Sequence, residues 1–285
     1  MIYSMTGYGK SQGQIEHKKI SIEIKALNGK NLDLMIRLPQ VYKDIELDMR
    51  KMLSAELNRG KVEVFIHVEN NSGQSATNIN KALVRSYIEQ LTDIVSADEQ
   101  SALQIAMRLP DVMQSSREEI EEAEKNFVLE GLRIAAKHLN EFRAQEGEAL
   151  AADLLYRIEA ISTSLEEVEK IDVVRKEEIR SRMEKAVAEI KESVDENRFE
   201  QELIYYLEKY DITEEKVRLH NHLSYFVETL NNAQSSGKKL GFIAQEIGRE
   251  INTIGSKSYH AALQKVVVIM KDDLEKIKEQ LLNVL

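Results

Sequence analysis

The sequence predicts an α+β protein: an N-terminal, mostly antiparallel sheet with one helix, followed by a large helical region with a long αα-hairpin arm. Three observations carry this reading. Over the first 70 residues apolar side chains alternate with polar ones, the period of a half-buried strand. From about residue 79 the apolar spacing becomes three and four, the period of a helix packed on one side. The 285-residue chain also holds only two prolines, Pro39 and Pro110, so long helices are seldom interrupted.

The elements follow in order. Ile20, Ile22 and Ile24 alternate with Ser21, Glu23 and Lys25, and Asn28-Gly29 then predicts a hairpin turn. Leu32, Leu34 and Ile36 form the next strand, up to Pro39. Ile45, Met49, Met52 and Leu53 place a helix over 41–58, and Arg59-Gly60 closes it, because glycine favours the left-handed position after the last turn. Val62, Val64, Ile66 and Val68 make the third strand, with a fourth expected in the first ten residues. Polar residues 70–78 read as a linker or hairpin loop that ends a first domain, 1–78.

A helical connector, 79–117, carries Leu83, Tyr87, Leu91 and Ile94 on one face, with a loop near Ser96-Ala97-Asp98 and a break at Leu109-Pro110. Residues 118–197 read as two long antiparallel helices. Leu150, Leu154, Ile158 and Ile161 share a face of the first; Ile179, Met183, Val187 and Ile190 share a face of the second; the turn is expected near Ile171-Asp172. Such an arm is either an oligomer contact or a plain helical hairpin. A C-terminal helical domain, 198–285, begins with a helix over 198–209. Asp211 or Thr213 then caps a helix running to about Asn231, striped by Leu219, Leu223, Phe226 and Leu230. Ser235-Ser236-Gly237 breaks it. A further helix ends at Ile254-Gly255-Ser256, and a last one over 260–283 carries Leu263, Val267, Met270, Leu274, Ile277 and Leu281.

Composition narrows the function. There is no cysteine, which excludes disulfides, thiolate metal sites and cysteine nucleophiles and fits a cytoplasmic protein. No apolar run reaches the roughly 18 residues of a membrane span, and no secretory leader is expected. The net charge of −10 is concentrated: residues 118–215 hold 28 Asp/Glu against 14 Lys/Arg, which leaves the two ends of the chain net basic. A nucleic-acid site is therefore expected on the terminal parts.

The chemistry-bearing residues crowd into the run Gly237–Lys257. Leu240, Ile243, Ile247, Ile251 and Ile254 share one face, while another holds Glu246, Arg249, Glu250, Thr253 and Lys257. Glu246 and Glu250, four residues apart, put two carboxylates about 6 Å apart on one side, a pair suited to Mg²⁺ or Mn²⁺. On spacing alone the stronger reading is surface ion pairs with Arg249, Lys257 and a neighbouring helix. Gly248 in mid-helix costs about 1 kcal/mol against alanine, which points to a close approach of backbone or ligand there, with Asn252 reaching into the same cleft. Lys238 and Lys239 stand at the helix entrance, where free N–H groups suit a phosphate. One helix earlier, His220 and His222 lie about 200° apart, so they are not a metal pair. Each is either a hydrogen-bonded structural residue or, singly, an acid/base or a ligand completed from elsewhere. Lys25, Lys30, Arg37, Arg59 and Lys61 form a second, weaker basic set, divided between faces by strand alternation.

These segments resemble a known family. Met1–Gly9, Ile36-Arg37-Leu38-Pro39, Arg59-Gly60-Lys61-Val62, Arg143-Ala144-Gln145-Glu146-Gly147, Arg218-Leu219-His220-Asn221-His222-Leu223 and the Gly237–Lys257 run are similar, in order, to the YicC/YloC endoribonucleases of bacteria. The resemblance implies a divalent-metal-dependent endoribonuclease that assembles as a hexameric ring enclosing RNA, with no membrane partner. It places the family's C-terminal signature on Gly237, Lys238, Lys239, Gln245, Glu246, Arg249, Glu250, Asn252, Thr253, Gly255, Ser256 and Lys257, and the preceding motif on Arg218, His220, His222 and Glu228. Asn28-Gly29-Lys30 departs from the Asn-His-Arg of many members. The implied mechanism has Glu246 and Glu250 holding Mn²⁺ or Mg²⁺ with His222 or Glu228, and Arg249 and Lys257 stabilising transition-state charge. Arg218, Lys238, Lys239, Gln245, Asn252 and Lys257 would contact RNA. Two rivals stand beside it: metal-free cleavage by His220 or His222 with 2′-OH attack, and a non-catalytic RNA-binding adaptor.

Overall fold

The N-terminal sheet forms because three strands each present an unbroken apolar face. The computed structural model describes residues 2–70, 77–94, 98–115, 120–189, 196–232 and 237–285. Strands β1 (Gly7–Ile15), β2 (Lys18–Leu27), β3 (Leu32–Arg37) and β4 (Gly60–Asn70) lie in the order β1-β2-β4-β3. The helix α1 (Glu46–Glu56), entered through a short 3₁₀ turn over Gln40–Ile45, connects β3 to β4. The sheet is mostly antiparallel, as expected, and β1 is the expected fourth strand.

The hairpin expected at Asn28-Gly29 does not form. β2 pairs instead with β4, from Lys18 opposite Asn70 to Leu27 opposite Lys61, and β3 lies parallel to β4 at the sheet edge. Burial explains the choice. Val62 and Val64 are fully buried, whereas Leu32, Leu34 and Ile36 are only half-buried, so β4 takes the central place. A parallel pair needs a crossover rather than a tight turn, and α1 supplies it. Gly60 likewise does not cap α1. The helix stops at Glu56 with Leu57 extended, and Gly60, at φ +120°, opens β4 close under the Leu27 carbonyl.

Between the sheet and the C-terminal helices lies a small unit. Helices α2 (Lys81–Ile94) and α3 (Glu99–Ala106) pack around Val84, Ala106 and Val112, beside the antiparallel pair β5 (Thr77–Ile79) and β6 (Met113–Ser115). The expected loop at Ser96-Ala97 and the middle of the 70–78 linker lie outside the described residues.

The arm is one helix, not a hairpin. Helix α4 runs without a break from Glu122 to Glu189, 68 residues or roughly 100 Å. Asp172, where a turn is expected, is 2% exposed inside it. Its carboxylate accepts hydrogen bonds from Arg175 Nη2 (2.6 Å) and Nε (3.0 Å) and from Lys216 Nζ (2.8 Å). Aspartate favours turns when its side chain takes nearby backbone N–H groups. Here three side-chain donors occupy it, and no glycine or proline is near, so the helix continues.

The first half of α4 covers the sheet through Val128, Leu132, Ala135, Ala136 and Leu139. Gly9 permits this contact: a Cβ there would lie 2.0 Å from the Ala135 carbonyl oxygen. Leu154, Ile158, Ile161, Leu165 and Val168 enter a second core with the C-terminal helices. Those helices are α5 (Glu196–Lys209), α6 (Thr213–Asn231), α7 (Gly237–Lys257) and α8 (Ala261–Leu281). The N-cap of α6 is Ile212 rather than Asp211 or Thr213, although Asp211 accepts from the Thr213 backbone N–H at 3.3 Å.

The Arg143–Gly147 motif is structural. Arg143, 1% exposed, donates to the carbonyls of Met5 (3.2 Å) and Arg59 (3.4 Å). Gly147 lets Ile2 lie against α4, since a Cβ would meet the Ile2 oxygen at 2.1 Å. The residues after Ile2 then pair with the far end of the chain, Leu285 N–H donating to the Tyr3 carbonyl at 2.8 Å. No helix among the described residues is long and apolar enough to cross a membrane.

Asp172→Ala leaves the buried guanidinium of Arg175 without its carboxylate, and a loss of about 3–5 kcal/mol in unfolding free energy is expected. The Asp172→Leu/Arg175→Met double variant removes both charges and should lose much less. Urea unfolding midpoints of the two variants check this.

Candidate functional site between two antiparallel helices

Helices α6 and α7 pack side by side through the stripes Leu219/Leu223/Phe226/Leu230 and Leu240/Ile243/Ile247/Ile251/Ile254. They run antiparallel, as two contacts at opposite ends show. Lys239 Nζ stands 4.9 Å from the Tyr225 ring centroid, and Lys257 Nζ donates to Glu215 Oε1 at 2.8 Å and to the Asp211 carbonyl at 3.0 Å. Heptad spacing extends these contacts into two facing ladders, because residues seven apart share a helix side. On α6, Glu215, His222 and Thr229 form one row and Arg218 and Tyr225 another. On α7, Lys239, Glu246 and Thr253 form one row and Glu250 and Lys257 another.

Polar groups in this groove are incompletely partnered. Glu250 is 5% exposed and makes no hydrogen bond or ion pair among the described residues. Glu215 Oε2 and Thr229 Oγ1 are buried without a hydrogen-bond partner. Most buried polar atoms in folded proteins are satisfied, so two such atoms facing an acid without a protein partner mark this pair of helices as a candidate site. Glu246 sits higher on the wall, half-exposed, 3.8 Å from Arg249.

The structure divides the sequence-predicted residues. His222, Arg218, Lys239, Glu246, Glu250 and Lys257 belong to the groove. Lys238, Gln245, Arg249 and Asn252 form an exposed stripe on the outward side of α7, together with exposed Phe242. Glu228, about 200° around α6 from buried Phe226, faces solvent. His220 lies as far around from His222 and is exposed. Among the described residues no three His, Asp or Glu side chains come together as a cation site.

Gly248 serves a neighbouring helix. A Cβ there would stand 3.1 Å from Leu274 Cδ2 of α8, and one on Gly255 would stand 3.0 Å from Val267. These glycines seat α7 on α8, on the side away from α6, so Asn252 does not share a cleft with Gly248. The residues around 233–236, where the break before α7 is expected, lie outside the described residues. Sequence spacing puts Tyr225 on the same side of α6 as Arg218 and His222; Glu215 and Thr229 were missed as groove residues, although their heptad spacing from His222 was legible.

Two family models match the chain: Endoribonuclease YicC-like, N-terminal region, over residues 2–152, and Endoribonuclease YicC-like, C-terminal, over 168–285. A protein of Clostridioides difficile (strain 630) named "Probable endoribonuclease YicC" is 32% identical over 294 residues, covering 100% of both chains. One of the same name from Haemophilus influenzae is 27% identical over 289 residues, covering 99% of each.

Lys257 has a structural duty that can be measured apart from chemistry. Lys257→Ala strips the buried Glu215 carboxylate of its cation and should cost about 1–3 kcal/mol of stability. The Glu215→Gln/Lys257→Met double variant should recover most of it, as read from thermal or urea melts.

Proposed function

Because the chain belongs to the endoribonuclease YicC-like family, we propose that it is a divalent-metal-dependent endoribonuclease that hydrolyses RNA in the α6–α7 groove. The observation that carries this is Glu250, 5% exposed in the helix pair and without a hydrogen bond or ion pair among the described residues. An acid seated among packed side chains without a protein cation is suited to an added one. Glu246, one turn away on the same side, supplies the second oxygen donor.

The donor set suits Mg²⁺ or Mn²⁺. These ions are commonly held by one or two carboxylates with waters and substrate phosphates, not by a complete protein cage. A pair rather than a cluster of three or more is therefore compatible with the reading. When bound, the ion lowers the pKa of a coordinated water and polarises a phosphoryl oxygen. Arg218, paired with exposed Glu214 at 2.6 Å, Lys239, and Lys257, paired with Glu215 at 2.8 Å, are the cations that RNA phosphates would meet along the groove. His222, half-buried on α6, would exchange a proton with the leaving oxygen. In a ring of six chains, as the family resemblance implies, the outward stripe of Lys238, Gln245, Arg249 and Asn252 would meet RNA or a neighbouring copy.

A second reading has one observation behind it: among the described residues, no third ligand joins the carboxylates. In that case His222 serves 2′-OH attack without a metal. Incubation of labelled structured RNA with the parent protein in Mn²⁺ and in excess EDTA, and with Glu250→Gln, separates the two. The metal reading expects cleavage only with Mn²⁺, a loss of at least about a hundredfold in the variant, and 5′-phosphate ends. Cleavage that persists in EDTA with 2′,3′-cyclic phosphate ends would overturn it in favour of His222.

A further inference from the structure

A second cavity lies where α4, α5 and the α7–α8 turn meet. Its volume is about 200 Å³. Tyr206 and Tyr210 come from α5 and the turn after it, and Tyr259 comes from the α7–α8 turn. The Tyr206 and Tyr210 ring centroids are 5.1 Å apart, and Tyr259 meets Tyr210 edge-on at 5.7 Å. Arg175 and Arg182, two turns apart on one face of α4, and Lys257 complete the polar lining.

Three features separate this cavity from an ordinary surface dip. First, no carboxylate is among the described residues that line it, although it lies within the most acidic part of the chain. The neighbouring Glu178 of α4 turns to His260, at 3.6 Å. Second, the cations differ in their engagement. Arg175 is held by Asp172 and by the carbonyls of Tyr210 and Lys257, whereas Arg182 makes no hydrogen bond or ion pair among the described residues. Third, large aromatic surface is left in water: Tyr259 is 85% exposed and Tyr206 39%.

The ligand these features fit is flat, aromatic and anionic. Aromatic side chains and arginine planes stack unpaired bases, and arginine is the preferred partner of a phosphate. The cavity is smaller than the roughly 300–1,000 Å³ of pockets that enclose drug-sized ligands, so it takes one base rather than a folded surface. It also adjoins the groove, because Lys257 lines it and at the same time binds Glu215. From Glu250 to Lys257 is roughly 10 Å along α7.

We propose that this cavity anchors one unstacked nucleotide of single-stranded RNA, its base against Tyr206, Tyr210 and Tyr259 and its phosphate on Arg182. The inference rests on the proposed ribonuclease reading for the identity of the strand. It concerns binding alone, so it can be tested with cleavage switched off.

The test uses the full-length protein in excess EDTA and a fluorescently labelled, short oligoadenylate with 2′-O-methyl riboses, which 2′-OH attack cannot cut. Tyr206→Ala, Tyr259→Ala and Arg182→Ala should each weaken binding about tenfold by anisotropy, the range of one lost base stack. Tyr259→Trp should retain affinity. Because the chain has no tryptophan, its lone indole reports directly, and oligoadenylate but not inorganic phosphate should quench it. Binding equal to the parent in Tyr259→Ala and Arg182→Ala, or an unquenched indole, would overturn the proposal. So would a shift in oligomeric state on gel filtration with RNA affinity unchanged, which would assign the tyrosines to a contact between copies. Thermal melts guard against misfolding, to which exposed Tyr259 should be insensitive. Loss of cleavage in Glu250→Gln with anisotropy intact would bear on the groove alone.

Discussion

The C-terminal half is organised around the buried carboxylate of Asp172. Arg175 and Lys216 hold it, and Arg175 also reaches the carbonyls of Tyr210 and Lys257. The Asp172–Arg175 pair thereby ties α4 to the start of α6, the end of α7 and the turn after α5. A buried ion pair contributes little net stability, because desolvation offsets most of the Coulomb attraction. Its value lies in register. Hydrophobic contacts between α4 and the C-terminal helices would tolerate a slide of one turn, since leucine and isoleucine recur with that period. The Asp172 cluster would not, because a slide strands a guanidinium in the core.

That register matters because α7 serves three neighbours at once. Its isoleucine stripe enters the core, its glycines admit α8, and its polar ladder meets α6. Ridge-and-groove packing fixes the first two relations closely. The polar ladder has no such freedom to optimise itself. Glu215 Oε2 and Thr229 Oγ1 are buried without a partner, and Glu250 makes no hydrogen bond or ion pair among the described residues. A rigid frame around unsatisfied groups is the arrangement expected of a preorganised site, where stability is given up locally and recovered in the surrounding core.

Much of this was legible in the sequence, and the failures share a cause. Apolar period located the central strands, α1 and the four C-terminal helices. It erred where a local signal competed with a distant partner. Asn28-Gly29 has good turn chemistry, but β2 gains more by pairing with fully buried β4 than with half-buried β3. Asp172 looks like a break until Lys216, 44 positions on, is placed beside it. Gly248 was read correctly as a close approach, but of a leucine on α8 rather than of a ligand. In the site, the i,i+4 carboxylates were visible because both lie on one helix. Their facing row on α6 needed the antiparallel pairing. The tyrosine cavity draws on three elements far apart in sequence, and no spacing rule connects them.

Net charge was a poor guide to ligand for a related reason. At physiological ionic strength exposed charges are screened beyond about 8 Å, so a phosphate responds to the side chains beside it and not to the total of −10. The acidic surplus is carried largely by α4 and α5, many of whose carboxylates project into solvent or pair along the helix, as Glu184 does with Arg180. The groove sets Arg218, Lys239 and Lys257 against Glu215, Glu246 and Glu250, whereas the cavity beside it carries two arginines with no lining carboxylate among the described residues. An acidic exterior beside a cavity whose described lining holds no carboxylate discourages indiscriminate adsorption of nucleic acid while leaving that cavity attractive to a strand that can enter it. Selection by entry rather than by overall charge favours RNA that is single-stranded where it meets the groove, because only an unpaired base can leave its stack for a cavity of this size.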